Sequence, residues 1–388
     1  MRVLMVQRSL EPPGGGNAVA AWMVHALAGR HHVDTLTARE WTAASTNAFY
    51  GTAIPERGIT KHVTPAPWSW LASLPEDRLT RLRMCSVLRY ARPMADRYDL
   101  LVTADNYGAF PKSGMQYLHF PAPLNPEPAR LRAIVTVYFA LCDWFVGVAW
   151  SRAERNVTLA NSAWTAGGLA EAHVITVGHV LYPPVVDPGE GRPWDARHDT
   201  FLCLGRFHGS KRIELSMAIV RRLRAGAIPD ARLVVVGSPV DAEYAARIKA
   251  LAAPERDWIE FREDLSRAEV NRLIGESRYG MQAMEDEHFG MATAEMARGG
   301  CLVFPHHSGG SPEVVGGEAA LLWRTEDEAV ARITALVRDP RQREAVRSRL
   351  RAHAATFATE RFVERFLGIV DAWAEATRSG ELAKPGVP

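Results

Sequence analysis

The chain has 388 residues, of which 47% are hydrophobic and 23% charged, with 46 lysines and arginines against 44 aspartates and glutamates. This length exceeds one ordinary hydrophobic core and favours two α/β domains, and the composition is that of a soluble globular protein. The near-balance of charge argues against a nucleic acid as partner.

The spacing of the cysteines and the first residues of the chain indicate the cellular compartment of the protein. The four cysteines lie far apart without a CxxC pair, so neither a zinc ribbon nor a disulfide framework is predicted. Met1 to Gln7 pass directly into a strand-like apolar run and lack the features of a signal peptide. We therefore expect a cytoplasmic protein.

Short β-branched runs alternate with longer helical patterns along the whole chain, which is typical of βαβ units and parallel sheets. In the first half the predicted strands are Arg2 to Gln7, Val33 to Thr37, Asp99 to Thr103, Met115 to His119, Asn156 to Ala160 and one near Val174 to Val177. In the second half they are Thr200 to Gly205, Arg232 to Gly237, Trp258 to Phe261, Tyr279 to Ala283, Cys301 to Phe304 and Ala319 to Trp323. Each half therefore predicts a doubly wound, Rossmann-like sheet.

A proline- and glycine-rich segment separates the two halves. Tyr182 to Trp194 excludes both a helix and a central strand, so we predict a linker there. The pattern after Arg324 is helical, and Thr359 to Thr377 has one apolar face that needs a surface to cover, with the first domain as the candidate. The predicted division is an N-terminal domain over 1–185, a second domain over 186–358, and a C-terminal helix and tail over 359–388.

The first half also contains two apolar or aromatic segments with a possible relation to membranes. Ala133 to Trp150 is the most apolar stretch, but it is interrupted by polar residues and only just reaches the length of a span, so it predicts a buried helix. Upstream, a loop with Trp68 and Trp70 precedes the helix-like, arginine-rich segment Arg78 to Arg97. These two features could dock on an anionic membrane, and a solvated helix beside a packed loop accounts for them equally well.

An acidic motif follows the predicted strand Tyr279 to Ala283. Gly290 begins a short helix there, and the free N–H groups and dipole of a helix N-terminus favour a negatively charged ligand. Glu287 precedes this helix and Glu295 lies more than a turn inside it, so the two carboxylates could bind different parts of one elongated ligand. A solvated acidic loop before an ordinary capped helix is the alternative.

A basic motif follows the first strand of the second half. After Gly205 come Arg206 and Lys211, at the strand end where α/β folds bind ligands. Two cations there could neutralise a diphosphate and stabilise it as it departs. Gly237 and Ser238 follow the next strand and could line the same crevice, whereas a surface turn with two cations is the simpler alternative.

The first half offers a glycine-rich turn and a histidine. Gly14, Gly15 and Gly16 follow the first strand but lack GxGxxG spacing, so they indicate dinucleotide binding only weakly. They favour close approach of a sugar or acceptor to the backbone, with simple loop flexibility as the alternative. His119 ends a predicted strand before a rigid turn, and would project across an interdomain cleft to bind a substrate hydroxyl or transfer a proton. A structural histidine is the alternative.

Together these motifs resemble those of the retaining GT-B glycosyltransferases of family 4, and the resemblance covers essentially the whole chain. Glu287 and Glu295 match the family's Glu-x7-Glu motif, Arg206 and Lys211 its Arg-x4-Lys pair, and Gly14 to Gly16 its glycine-rich loop. The resemblance implies that Glu287 contacts the donor sugar, that Glu295 contacts the ribose, and that the pair of cations binds the diphosphate.

The same resemblance assigns further positions. His119 occupies the place of the family's cleft histidine, and backbone donors near the sugar and phosphates come from Phe289, Gly290, Met291 and Ala292. The phrases at 117–121, 161–165, 182–184 and 287–290 are similar to those of eukaryotic GDP-mannose-dependent α-1,2-mannosyltransferases that extend lipid-linked oligosaccharides. Asp286 replaces that subgroup's asparagine and its N-terminal membrane anchor is missing, so the dolichol acceptor does not carry over.

The sequence therefore predicts an α/β, GT-B enzyme with an interdomain cleft that transfers a hexose from a nucleotide-diphosphate sugar without a cofactor or metal. GDP-mannose is the favoured donor, the acceptor is an unidentified glycan, lipid or small molecule, and a peripheral position at the inner membrane face is an alternative to a purely cytoplasmic one. A nucleotide-sugar epimerase of the same fold and a non-catalytic nucleotide-sugar-binding protein are the competing hypotheses. Catalytic roles are assigned to His119, Arg206, Lys211 and Glu287, and donor binding to Gly15, Gly16, Gly205, Gly237, Ser238, Phe289, Gly290, Met291, Ala292 and Glu295.

Overall fold

The computed structural model describes residues 1–65, 68–71, 80–121, 129–171 and 175–380, with only the backbone of residues 80 and 129–133. The chain divides into two compact units, Met1–Pro184 with the segment that begins at Thr359, and Val185–Ala358. The boundary falls inside the predicted linker. Most of that segment belongs to the second unit, where the N–H of Arg192 donates to the carbonyl of Gly275 at 2.9 Å.

The first unit contains a seven-stranded parallel sheet. Its strands are β1 (Arg2–Val6), β2 (His32–Thr37), β3 (Thr60–Val63), β4 (Leu100–Thr103), β5 (Met115–Leu118), β6 (Val157–Ala160) and β7 (His179–Val180). They lie in the order β3-β2-β1-β4-β5-β6-β7, so the chain winds outward in both directions from the β1–β4 pair.

Two edges of this sheet differ from the sequence prediction. The last strand is His179–Val180, not the predicted segment near Val174 to Val177, of which Val174 lies outside the described residues and 175–177 are irregular. The edge strand Thr60–Val63 was not predicted, because its residues are exposed or half-buried and show no apolar alternation. Both misses concern short edge strands, which bury little apolar surface.

Helices cover the sheet of the first unit. They are α1 (Gly15–Ala28), α2 (Ala43–Tyr50), α3 (Trp68–Leu71), α4 (Thr80–Ala91), α5 (Ala129–Val146) and α6 (Ala163–Glu171). The core beneath them includes Leu4, Val6, Leu36, Leu101 and Leu118.

The prediction that Ala133 to Trp150 is a buried helix is wrong for one side of α5. Cys142 and Val146 are buried, but Trp144 is 79% exposed. Apolarity in sequence does not distinguish the two sides of a helix when both are apolar. No helix in the described parts of the chain is long and apolar enough to cross a membrane.

The aromatic loop and the arginine-rich helix beside α5 are partly packed. Trp68 lies against Phe145, with 5.0 Å between ring centroids, and Arg81 forms a 2.6 Å ion pair with Asp143. Trp70 is exposed. Arg78 and the loop residues 66–67 and 72–79 lie outside the described residues.

The second unit contains a five-stranded parallel sheet. Its strands are β8 (His198–Leu204), β9 (Arg232–Val236), β10 (Ile259–Arg262), β11 (Ser277–Gln282) and β12 (Leu302–Pro305), in the order β10-β9-β8-β11-β12. The predicted sixth strand, Ala319 to Trp323, is wrong. Only Trp323 makes a bridge, to His306, and its indole N–H donates to the carbonyl of Phe304 at 3.0 Å. The run is apolar because it fills the core, not because it pairs in the sheet.

Seven helices of the described chain flank this sheet. They are α7 (Ile213–Arg224), α8 (Ala242–Ala252), α9 (Arg267–Glu276), α10 (Met291–Arg298), α11 (Ser311–Val314), α12 (Glu326–Arg338) and α13 (Pro340–Ala354). Ser266 and Glu269 form a reciprocal capping box at the start of α9.

The final helix, α14 (Thr359–Ser379), belongs to the first unit. It packs on α1, and Arg365 donates to the carbonyl of Val180 at 2.8 Å. Its buried face consists of Phe362, Phe366, Leu367, Val370 and Trp373. The prediction that this helix covers the first domain is confirmed.

Candidate active site

The order of strands in the second sheet creates a topological switch point. β8 lies between β9 and β11, so the connections that leave β8 and β11 diverge on opposite faces of the sheet. All neighbouring strands are parallel, and their carboxyl ends share one edge. In doubly wound folds the crevice between diverging connections is where ligands bind.

Lys211 and Glu287 meet at this crevice. Lys211 ends a 3₁₀ turn after β8, and Glu287 stands in the loop after β11. Lys211 Nζ lies 2.5 Å from Glu287 Oε2, and the amide of Gln282 donates to the same oxygen at 3.0 Å. The two charged side chains are only 24% and 14% exposed, so this is a largely buried ion pair.

Burial and the ion pair act on the Glu287 carboxyl in opposite directions. Burial raises its pKa, but the nearby Lys211 ammonium outweighs burial through its charge and its hydrogen bond, and the pKa is lowered overall. His288, the next residue, has a pKa lowered chiefly by burial. Glu287 is therefore a carboxylate at neutral pH, while His288 is neutral there.

Arg206 shares a small cavity with Lys211. The cavity, of about 20 Å³, lies at the carboxyl ends of β8 and β11, and its polar lining includes Gly205, Arg206, Lys211 and Gln282. Arg206 is exposed at its rim. The structure thus brings together the two cations that the sequence assigned to a diphosphate.

The glycines predicted for this site permit close backbone approach. A Cβ atom on Gly237 would lie 1.8 Å from the carbonyl oxygen of Gly205, so the loops after β8 and β9 touch through their backbones. Ser238 accepts through its carbonyl from the N–H of Phe207 at 2.9 Å. Any side chain at Gly237 would separate the two loops that bound the crevice.

Helix α10 begins at the predicted position. Gly290, its N-cap, has φ +100°, a conformation that a residue with a side chain rarely adopts. Met291 and Ala292 follow in the first turn, where backbone N–H groups have no partner inside the helix. Phe289 is buried, and its ring packs on Phe357 with 5.2 Å between ring centroids, so its side chain belongs to the core.

The loop after β12 holds the acidic loop in place. Asp286 adopts φ +51°, and its N–H donates to the hydroxyl of Ser308 at 2.8 Å. The N–H of Gly310 donates to the carbonyl of Glu287 at 2.7 Å. These two bonds fix the backbone on either side of the carboxylate.

Glu295 faces a different cation. Its Oε2 lies 3.1 Å from Arg267 Nη1, at the start of α9. Arg267 Nε and Nη2 are buried and have no hydrogen-bond partner within the described ranges. Sequence analysis did not identify Arg267, although Ser266 before it marks a helix start.

Three neutral polar atoms are also buried without a partner around the acidic motif. They belong to Gln282 at the end of β11, to Thr293 in the first turn of α10 and to Ser311 at the start of α11, and none has a partner in the part of the chain that the structure describes. Buried polar groups are usually hydrogen-bonded, so such atoms indicate a polar ligand or water. None of the three was predicted as a site residue, although Gln282 lies within the predicted strand Tyr279 to Ala283.

In the first unit, His119 lies against the glycine-rich loop. A Cβ atom on Gly16 would lie 3.3 Å from His119 Nε2, and Gly15 begins α1. The ring nitrogen Nε2 lies 2.8 Å from the carbonyl of Ala104, so Nε2 carries the hydrogen. The N–H of His119 donates to Asn106 Oδ1 at 2.8 Å.

A buried ion pair supports this part of the first unit. Arg8 follows β1 and Asp105 follows β4, and their side chains meet at 2.5 Å. Burial raises the pKa of Asp105, but Arg8 outweighs it and the pKa is lowered. This pair was not predicted, although both residues follow predicted strands.

Comparison with known proteins defines the class. Residues 191–353 match the family model described as Glycosyl transferases group 1. HepE of Anabaena, solved in complex with UDP and glucose, superposes with a TM-score of 0.69 over 96% of this chain and 100% of that one, at 15% identity. Sucrose-phosphate synthase of Thermosynechococcus elongatus gives 0.70 over 97% and 99%, at 18% identity. The fold is therefore GT-B, and residues 191–353 form a domain that resembles the group 1 glycosyltransferases.

One curated relative has a name that specifies a donor and a linkage. The chain is 24% identical, over 266 residues, to the GDP-Man:Man(3)GlcNAc(2)-PP-Dol alpha-1,2-mannosyltransferase of Xenopus tropicalis. The alignment covers 63% of this chain and 53% of that protein, so the chain spans about half the length of the relative.

Proposed function

We propose that this glycosyltransferase transfers a hexose, with mannose favoured, from a nucleotide-diphosphate sugar with retention of anomeric configuration. The observation that carries the proposal is the contact between Lys211 and Glu287 at the switch point of the second sheet. It places a cation for the diphosphate beside a carboxylate for the sugar. GDP-mannose is the favoured donor because the curated relative is named as a GDP-mannose enzyme.

In this proposal the departing diphosphate is stabilised by positive charge from three sources. Lys211 has three N–H donors, of which Glu287 accepts one, so its ammonium group can serve a phosphate oxygen as well. Arg206 lines the same cavity, and the N-terminus of α10 adds backbone donors near Gly290. With these groups in place, transfer requires no metal ion and no cofactor.

The sugar and the nucleoside are assigned to opposite ends of the acidic motif. Glu287, held by Gln282, orients the sugar hydroxyls. The unpartnered atoms of Thr293 and Ser311 supply further hydrogen-bonding positions for the same polar ligand. Glu295 binds the ribose, and its contact with Arg267 holds the carboxylate in one orientation.

His119 and the glycine-rich loop are assigned to substrate hydroxyls in the first unit. With the hydrogen on Nε2 directed at the carbonyl of Ala104, Nδ1 is the nitrogen that can accept a hydrogen bond or a proton. Gly16 brings backbone close to the imidazole. A sugar hydroxyl is the ligand that this combination of ring nitrogen and backbone suits.

For the acceptor we propose a glycan or a lipid-linked sugar, reached from a peripheral position at an anionic membrane surface. The curated relative's name contains a dolichol diphosphate-linked glycan. Trp70, exposed on α3, supports contact with a membrane in the first unit.

A donor screen tests the proposal. The protein is incubated with GDP-mannose, UDP-glucose or UDP-N-acetylglucosamine, with and without simple mannosides, and released nucleotide diphosphate is measured. Release of GDP from GDP-mannose is expected, about a hundredfold slower in Lys211→Ala, and proton NMR of the product should show an α-mannoside. Absence of release from every donor, or conversion of a donor to an isomeric nucleotide sugar, contradicts transfer. The comparisons give no support to the epimerase alternative.

A further inference from the structure

The described part of α5 presents an apolar face to solvent. Ile134, Val137, Leu141 and Trp144 are 65%, 60%, 58% and 79% exposed. Their spacing of three, four and three residues places them on one side of the helix, along nearly three turns. Large apolar side chains exposed singly are ordinary, but a continuous row of four is typical of an interaction surface.

Charge does not interrupt this face. Between Ile134 and Val146 the single charged residue is Asp143, whose carboxylate is paired with Arg81. The opposite side of α5 contributes Cys142 and Val146 to the core of the first unit. Burial in the core therefore does not account for the apolar residues on the exposed side of this helix.

Two arginines of the α4 region lie at the C-terminal end of α5. Arg89 donates to the carbonyl of Phe145. A Cβ atom on Gly147 would collide with the guanidinium of Arg92, so that side chain lies against the residue after the helix. Both arginines are exposed, and the sequence places their contacts within three residues of Trp144. Apolar residues, an exposed tryptophan and adjacent arginines are the composition of an interfacial helix.

We propose that the apolar face of α5, defined by Ile134, Val137, Leu141 and Trp144, docks in the surface of an anionic lipid bilayer. The helix lies in the plane of the interface, with its four apolar side chains among the acyl chains and with Arg89 at the phosphates. The predicted Trp and Arg segment contributes Arg89 and Arg92 to this surface but not its apolar face, and its Trp68 and Arg81 are packed inside the first unit.

An anionic bilayer fits this surface better than a second copy of the chain. A second copy of the chain would present the same apolar residues and the same arginines, and so no negative charge for Arg89 and Arg92 from this face. Anionic headgroups attract the same arginines. The inference gives the proposed membrane-side acceptor a docking surface but does not depend on it, because vesicle binding is measured without transfer.

The test is flotation with vesicles of phosphatidylcholine, with and without phosphatidylglycerol. The full chain should float with the anionic vesicles, and Leu141→Gln with Trp144→Gln should weaken binding about a hundredfold, since each substitution removes one large apolar anchor. The matched control is Leu251→Gln, because Leu251 is also half-exposed but lies on α8 in the second unit. It should bind as the unsubstituted protein does.

Two further measurements separate insertion from charge attraction. Replacing both arginines, Arg89→Gln with Arg92→Gln, should weaken binding about fivefold for each arginine at low salt and less at high salt. Acyl chains carrying bromine should quench tryptophan fluorescence, and Trp144→Phe should remove much of that quenching. GDP release from soluble donor should be unchanged in the Leu141 and Trp144 variants, so failure of docking and failure of transfer are distinguishable.

Three outcomes would overturn the inference. The unsubstituted protein does not float with anionic vesicles, or it floats equally well when Leu141 and Trp144 are replaced. In the third outcome, sedimentation shows a dimer that these two substitutions dissociate, which would assign the face to a second copy of the chain.

Discussion

Substitution of Lys211 by alanine should affect both turnover and stability, and the structure gives a magnitude for each. Removing one preorganised donor to a developing negative charge costs about a hundredfold in turnover, or about 2.7 kcal/mol of transition-state stabilisation. The substitution also leaves the Glu287 carboxylate without its 2.5 Å partner. Breaking a buried pair costs 3 to 5 kcal/mol, and the low end, about 3 kcal/mol of unfolding free energy, applies because both side chains are partly exposed.

A second substitution separates these two effects. In Lys211→Ala with Glu287→Gln, the buried carboxylate is gone, so most of the lost unfolding free energy should return while turnover stays low. Arg206→Ala is the matched variant, because this side chain is exposed and its loss should change stability by less than about 0.5 kcal/mol, yet slow turnover similarly.

The assays are nucleotide diphosphate release at saturating donor and urea unfolding of each variant. Normal turnover in Lys211→Ala under saturating donor would refute the assignment of Lys211 to the diphosphate. If the double substitution regained activity together with stability, the role of the pair would be structural.

The remaining predictions concern four other positions. Because the pKa of Glu287 is lowered in the folded protein, its carboxylate contributes stability above its ordinary pKa of about 4.5, and this stability is lost as pH falls through the folded value. The unfolding free energies of the unsubstituted protein and Glu287→Gln should therefore converge in acid. A constant difference between them would contradict this. Gly237→Ala should destabilise the second unit by about 3 kcal/mol or more in urea unfolding, because its methyl group would lie 1.8 Å from a carbonyl oxygen, whereas Gly226→Ala, with 3.7 Å of clearance, should be tolerated. His119→Ala should slow turnover about a hundredfold at saturating donor with little change in donor affinity, and unchanged turnover would leave this histidine structural. Arg267→Ala should weaken nucleotide binding about tenfold in calorimetry, because the carboxylate that it pairs with loses its orientation, and unchanged affinity would exclude that role.

Strand positions in the second unit were largely predictable from local sequence. A buried parallel strand is a short apolar run between loops, and five of the six runs in this half are strands within two residues of the predicted bounds. The exception, Ala319 to Trp323, shows the limit of this signal. A run can be apolar because it fills a core, and periodicity does not show whether its backbone also pairs in a sheet.

The loops that carry the candidate site were predictable for a related reason. Parallel strands share one carboxyl edge, so residues after strands converge there whatever lies between them in sequence. Arg206, Lys211 and Glu287 were predicted together for this reason, and Arg8 and Asp105, which also follow strands, could have been predicted in the same way. The partner of Glu295 could not be found in this way, because Arg267 begins a helix on the far side of a loop.

The sequence alone thus determined two α/β sheets, the loops at their carboxyl edges and the helix α14, because these depend on local apolar patterns and backbone chemistry. Tertiary structure decided which charges meet and which apolar surfaces remain uncovered. The Lys211–Glu287 pair joins residues 76 apart in sequence, and the exposed face of α5 has the same apolar composition as its buried face. Local sequence gives the polarity and periodicity of the side chains, whereas strand order and helix packing determine which residues they contact.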